Sequence, residues 1–406
     1  MSYLDLNMDL TAEQEAIKRE THKFAAEVLR PASLELDKLA TPEEVIRSPR
    51  FRDAFRKGYE LGYHSIFIPD NWGGMGLDPL SLHIALEELA WGSVDFAVGI
   101  GVACFPTFFA SMVPNDKLAE EIILPFCACK DASIIGCWGI TEPDHGSDTL
   151  SVGTESFADP GIKYQVKAQR DGSEWVISGQ KSAWVSNGTI ATHALVYLGV
   201  DPSLGMSGGG ICIVPLDGPG VRRGPPLNKL GQRALNQGEI FFDEVRVPEE
   251  YMLVDPESYT GMLDLTLATA NASMGAMFTG VARAAFELAL EYSRERTQGG
   301  KILFNHQLIK HKLFNMFTKV EAARALSRAA LVYNLNNSPP STHYSIAAKV
   351  FCTQTAFEVA HDAVQILGGM GVSREHPIEK IFRDARAGLI EDGANDTLMV
   401  TGAHYL

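Results

Sequence analysis

The sequence predicts an α+β multidomain fold, with an N-terminal helical domain at residues 1–134, a middle, mainly antiparallel β-barrel-like domain at 135–253 and a C-terminal helical domain at 254–406. Three observations carry this expectation. Helical periodicity dominates both ends of the chain, and short β-branched and aromatic runs punctuated by turn residues fill its middle. At 406 residues the chain is also long enough for two or three domains around at least one large core.

The N-terminal part reads as helical over 11–60, with Thr11 placed to cap an amphipathic run that begins Ala12, Glu13, Gln14. After the Pro- and Gly-punctuated stretch PDNWGGMGLDPLS, a second helix covers 82–91 and sets Glu87 and Glu88 on its polar side. From about Ser133 to Leu253 the runs IKYQVKAQ, SEWVISGQKSAWV, HALVYLGV, GGICIVPL and EIFFDEVRV read as strands. Helical periodicity then returns over 277–296, 307–335 and 345–367, with a loop at 336–341. The long uncharged stretch 265–282 contains Thr266, Thr269, Asn271, Ser273 and Thr279. It is too polar and barely long enough for a membrane span, and reads as a helix buried in a bundle.

Lys plus Arg number 35 against 50 Asp plus Glu, a formal net charge of -15, which would repel phosphate backbones and anionic lipid surfaces. Nucleic acid is therefore not an expected partner. The six cysteines, Cys104, Cys127, Cys129, Cys137, Cys212 and Cys352, are scattered through mostly apolar contexts and need no disulfide framework, which fits a reducing, cytoplasmic location. The N-terminus is charged within a few residues and shows no secretory signal.

Several motifs fall away on context. Gly205-Met206-Ser207-Gly208-Gly209 matches G-x-S-x-G, but that chemistry needs a strand turning into a helix, and here the motif joins two strands as a hairpin loop. Cys127 and Cys129 are too close in sequence and have no second pair for zinc, and His306, His311, His361 and His376 form no i, i+4 ligand pair, so no metal is expected. Neither a strand–G-x-G-x-x-G–helix unit nor a P-loop is present.

The informative segment is IGCWGITEPDHGSD. Trp138, Ile140 and Thr141 could line a flat heteroaromatic ring, and the turn that follows offers backbone N–H groups and a hydroxyl to a phosphate. This segment resembles the flavin-binding signature of the acyl-CoA dehydrogenase family. The resemblance continues through PDNWGGMGL with EELA, GQKSAWVSNG, RERTQGGK and AVQILGGMGVSREHPIEKIFRDAR, in the family's order and over almost the whole chain. It implies a C-terminal four-helix bundle and FAD as cofactor. Trp138, Ile140 and Thr141 would then lie along the isoalloxazine, Gly146 and Ser147 near the pyrophosphate, and Trp184 and Ser186 against the flavin. One residue more than the family pattern separates Lys181 from Trp184. The resemblance further implies that a neighbouring subunit holds the adenine half through Arg296, Gln298, Gln365, Gly368 and Gly369, in a homotetramer; Gly299 replaces the family's usual Phe.

In the family the base is a Glu before Gly, nine residues after the Arg of R-D-A. It takes the substrate's α-proton while a β-hydride passes to flavin N5. Counting from Arg383 without gaps places Asp392 there, before Gly393, with Glu391 as the second candidate; without the flanking motifs, GLIEDGAND would read as a solvated acidic turn. Relatives that use CoA thioesters carry an Arg between positions matching 261 and 280, a stretch without Arg or Lys here. The resemblance implies α,β-dehydrogenation of an acyl-CoA thioester, with electrons leaving to an electron-transfer flavoprotein. The shorter base and altered CoA contact point to a cyclic, branched or carboxylated acyl group. Three alternatives stay open: a nitroalkane-oxidase-like activity, which also uses an Asp base, a flavin monooxygenase on the same fold, or a catalytically silent flavoprotein.

Overall fold

The computed structural model describes residues 10–406, so the part of the N-terminal expectation that concerns residues 1–9 lies outside the described residues. The first helix, α1 (Ala12–Phe24), opens on a capping box in which the Gln14 N–H donates to Thr11 Oγ1 at 3.2 Å and the Thr11 N–H to Gln14 Oε1 at 3.1 Å. It is followed by α2 (Arg30–Leu36), α3 (Pro42–Arg47), α4 (Pro49–Glu60), α5 (Pro79–Gly92), α6 (Val94–Ala103), α7 (Phe105–Met112), α8 (Asp116–Leu118) and α9 (Leu124–Ala128).

The expectation for α5 needs correction. Glu87 and Glu88 are each only 2% exposed rather than solvated, because α5 packs against both α1 and the long C-terminal helices and keeps no wet face. Their charge survives burial because Arg283 donates to Glu87 at 2.7 Å and to Glu88 at 2.8 Å, Arg324 donates to Glu87 at 2.9 Å, and His22 lies 2.8 Å from Glu88.

The middle domain contains β1 (Gly136–Gly139), β2 (Lys167–Asp171), β3 (Glu174–Ser186), β4 (His193–Gly199), β5 (Gly209–Pro215), β6 (Val221–Arg223), β7 (Gln237–Pro248) and β8 (Met252–Val254). The sheet runs β6-β7-β3-β1-β4-β5-β8, and β2 pairs with both β3 and β4, so β3, β1, β4 and β2 close a ring. Pairing is antiparallel except where β4 meets β1 and β2. The G-x-S-x-G segment turns between the antiparallel strands β4 and β5, as a hairpin loop. In β3, Lys181 pairs with Ile240 but Val185 with Gly238, four residues against two, a bulge that contains Trp184.

The C-terminal helices are α10 (Pro256–Glu295), α11 (Gln307–Asn336), α12 (Thr342–Leu367) and α13 (Pro377–Ala387), which pack as a four-helix bundle, followed by α14 (Asn395–Ala403). A small hairpin, β9 (Thr297–Gln298) and β10 (Lys301–Ile302), follows α10. The polar residues of 265–282 are buried at little cost because Thr266, Asn271, Ser273 and Thr279 each donate to the carbonyl four residues back. No single described helix is long and apolar enough to cross a membrane. All six cysteines are buried free thiols.

Candidate active site

A cleft of about 740 Å³ opens where the C-terminal end of β1 and the turn after it, the loop between β6 and β7, and the segment after α13 come together. Trp138, Ile140, Thr141, Gly146, Ser147, Trp184 and Ser186 line it from the β domain, and Glu391 and Asp392 line it from the helical side. Two parts of the chain some 250 residues apart thus supply one site.

β1 and β3 set the β-domain wall. Trp138 pairs with Ser186 across the two strands, and the Ser182 N–H donates to Thr141 O at 2.8 Å. The bulge in β3 leaves the Trp184 ring 56% exposed at the cleft, and Ser186 Oγ accepts from Gln237 Nε2 at 3.2 Å. Beneath this wall lies a fully buried pair. Lys181 donates to Glu142 at 2.7 Å and to Ile140 O at 2.9 Å, while the Val166 N–H donates to the same Glu142 oxygen at 3.0 Å. Burial pulls the Lys181 ammonium down to about 8 against the pull of Glu142. In the turn beyond, the Gly146 N–H donates to Asp148 at 2.6 Å, and Ser147 Oγ accepts from the Ala394 N–H at 2.9 Å.

The two carboxylates are held differently. Glu391 accepts a 2.6 Å hydrogen bond from Gln232 Nε2, whereas the Asp392 carboxylate has no hydrogen-bond partner among the described residues. Asp392 sits at φ +52° and Gly393 at φ +97°, a left-handed pair. Burial pushes Asp392 up to about 6 and Lys349 opposes it. Glu391 is pushed up to about 7 by burial and by Asp392, against Gln232, Lys349 and Lys229. Each carboxylate is thus poised near neutrality beside a cleft, where a general base is expected.

The remaining predicted residues lie elsewhere. Arg296, Gln298, Gln365, Gly368 and Gly369 are all exposed, and none lines this cleft. Gly299 has φ +61° and Gly300 φ +79° in the two-residue turn between β9 and β10, a geometry that favours glycine and accounts for the replaced Phe. Sequence reasoning missed Gln232, Lys229 and Lys349. The signal for Lys349 was available: it is a lone cation in the apolar, small-residue run SIAAKVFC.

Three family descriptions match in chain order: acyl-CoA dehydrogenase N-terminal domain over 11–110, middle domain over 137–245 and C-terminal domain over 263–404. The benzylmalonyl-CoA dehydrogenase of Aromatoleum aromaticum is 32% identical over 396 residues, 97% of this chain and 97% of that protein. The chain belongs to the acyl-CoA dehydrogenase family. The mitochondrial short-chain specific acyl-CoA dehydrogenase of Bos taurus is 29% identical over 98% of this chain and 91% of its own length. The butyryl-CoA dehydrogenase structure from Megasphaera elsdenii superposes with a TM-score of 0.85 at 27% identity, covering 98% and 99% of the two chains.

As an acyl-CoA dehydrogenase, the protein is an FAD-dependent oxidoreductase. The cleft fits that cofactor: Gly146 lines it, and a Cβ there would meet no protein atom within 4 Å, so the turn leaves room for a ligand beside its Cα. Thr141, Ser147 and Ser186 add hydroxyls, and Trp138 and Trp184 add aromatic surface.

Proposed function

We propose that this acyl-CoA dehydrogenase carries out α,β-dehydrogenation of an acyl-CoA thioester with Asp392 as the base that takes the α-proton. The observation that carries this is the single cleft that gathers Trp138, Thr141, Ser147, Trp184, Glu391 and Asp392. FAD, when bound, supplies the acceptor for the β-hydride. Trp138, Ile140, Thr141, Trp184 and Ser186 would hold its isoalloxazine, and Gly146 and Ser147 its pyrophosphate. Asp392 is favoured over Glu391 because its carboxylate is free to meet a substrate proton, while Glu391 is tethered to Gln232. A base raised to about 6 remains mostly ionised at neutral pH yet keeps some affinity for the proton.

A carboxylated acyl group is supported by Arg386, which lines the cleft with a buried Nη1 that has no hydrogen-bond partner among the described residues. The benzylmalonyl-CoA relative carries such a group in its name. The exposed Arg296, Gln298, Gln365, Gly368 and Gly369 support their use by a neighbouring subunit, in a homotetramer, for the adenine half of FAD. An electron-transfer flavoprotein is the proposed acceptor, and the cytoplasm the proposed location.

The test is anaerobic bleaching of the flavin against a panel of straight, branched, cyclic and carboxylated acyl-CoA thioesters. Bleaching by one class assigns the substrate, and no bleaching by any removes the dehydrogenase proposal. The second reading, a nitroalkane-oxidase-like reaction, is favoured by the Asp base and by the absence of Arg and Lys over 261–280. Bleaching by a nitroalkane, with peroxide released in air, would establish it.

A further inference from the structure

Lys349 lies fully buried in the first third of α12, outside the groups that the proposed reaction uses. An ammonium held away from water needs fixed acceptors. Its Nζ donates to Gly393 O at 2.7 Å and to Asn395 Oδ1 at 2.9 Å. Asn395 is held in turn, because its Nδ2 donates to Thr353 Oγ1 at 3.0 Å and that hydroxyl donates to Lys349 O at 2.9 Å. The lysine therefore grips the chain on the C-terminal side of Asp392, in a loop whose left-handed residues, Asp392 and Gly393, depend on outside contacts to keep their shape.

We propose that Lys349 is a positioning residue for the base: its ammonium clamps the Gly393 carbonyl and the Asn395 side chain so that Asp392 stays presented to the cleft, and its charge favours the ionised carboxylate. The inference rests on the proposed role of Asp392. Arg383 and Arg386 of α13 line the same cleft as these carboxylates. Lys349 acts on both from α12, Lys229 acts on Glu391 from the loop before β7, and the Asp392 charge raises its neighbour Glu391. Removing the Lys349 charge takes away the counterweight to burial, so the apparent pKa of Asp392 must rise.

The experiment compares FAD-loaded Lys349→Met, Lys349→Gln and Lys349→Arg with wild type by infrared titration of ¹³C-labelled Asp carboxylates, with Asp392→Asn assigning the band. This readout needs no substrate. Anaerobic single-turnover flavin reduction by the fastest thioester of the panel is then followed from about pH 6 to pH 9. The proposal expects the Asp392 band to titrate at higher pH in the Met and Gln variants and near wild type in the Arg variant. With Asp392 at about 6 in the wild type, reduction at pH 7 should fall about twofold for a rise of one unit and about tenfold for a rise of two, and recover at high pH. An unmoved band in FAD-replete Met and Gln variants overturns it. Should Lys349→Met fail to fold, the polar and nearly isosteric Gln variant decides. Near-normal reduction by Asp392→Asn would remove the base assignment and the positioning role with it, whereas a dead Asp392→Asn with an unmoved band removes only the role of Lys349.

Discussion

Ser147 Oγ accepts a 2.9 Å hydrogen bond from the backbone N–H of Ala394. It ties the turn after β1, proposed above to hold the FAD pyrophosphate, to the loop that carries Asp392, the proposed base. Ser147→Ala should cost about 1 kcal/mol of local stability and, by loosening the loop, slow flavin reduction roughly tenfold. Ser147→Thr, which keeps the acceptor, should stay near wild type. Stopped-flow reduction at equal FAD content checks this, and an Ala variant as fast as wild type would show the tie to be idle.

The carboxylates should separate cleanly under amide substitution. Asp392→Asn cannot accept a proton, so it should keep FAD yet lower single-turnover flavin reduction by roughly 10³-fold or more. Glu391→Gln should be milder, because an amide can still bond to Gln232. Glu391→Gln abolishing reduction while Asp392→Asn leaves it intact would move the role to Glu391.

The same groups dictate a pH dependence of stability. Burial raises Asp392 from 3.8 to about 6 and Glu391 from 4.5 to about 7, so folding favours their protonated forms. That contribution is fully present below the unfolded values and is lost as pH climbs through about 6 and 7. Asp392→Asn and Glu391→Gln remove the ionisation, so each should gain on wild type between about pH 4 and pH 8 by on the order of 1–3 kcal/mol. Thermal unfolding of the FAD-loaded proteins at both ends of the range checks this. A difference that does not change with pH would mean that the carboxylates titrate normally.

These residues also show where the sequence was legible. The helix–strand–helix order came from periodicity, and Thr11 from the chemistry of a cap, because both are local. Counting from Arg383 led to Asp392 and its neighbour Glu391, and both line the cleft. Gln232 could not, because its link to Glu391 spans 159 residues and no local pattern marks it. Glu87 and Glu88 misled for a related reason: helical periodicity reveals a polar face but not whether water or arginines from other helices cover it.

Glu87 therefore gives the sharpest test of that buried network. It joins α5 to Arg283 on α10 and Arg324 on α11. Burial alone would raise its pKa, but Arg324 and Arg283 hold it well below the ordinary carboxylate range. Had Glu87 been solvated, Glu87→Gln would change stability by no more than about 0.5 kcal/mol. Buried as it is, the substitution leaves Arg283 and Arg324 short of countercharge and should cost about 3–5 kcal/mol. Its depressed pKa contributes stability that is present above 4.5 and lost on acidification, so the deficit should be full at neutral pH and narrow below 4.5. Urea unfolding of the FAD-loaded protein at pH 7.5 measures it, and flavin reduction in folded enzyme should stay within about twofold of wild type, because Glu87 does not line the cleft. A cost under about 1 kcal/mol would mean that the arginines find other partners and that the network is dispensable for holding the N-terminal helices to the bundle.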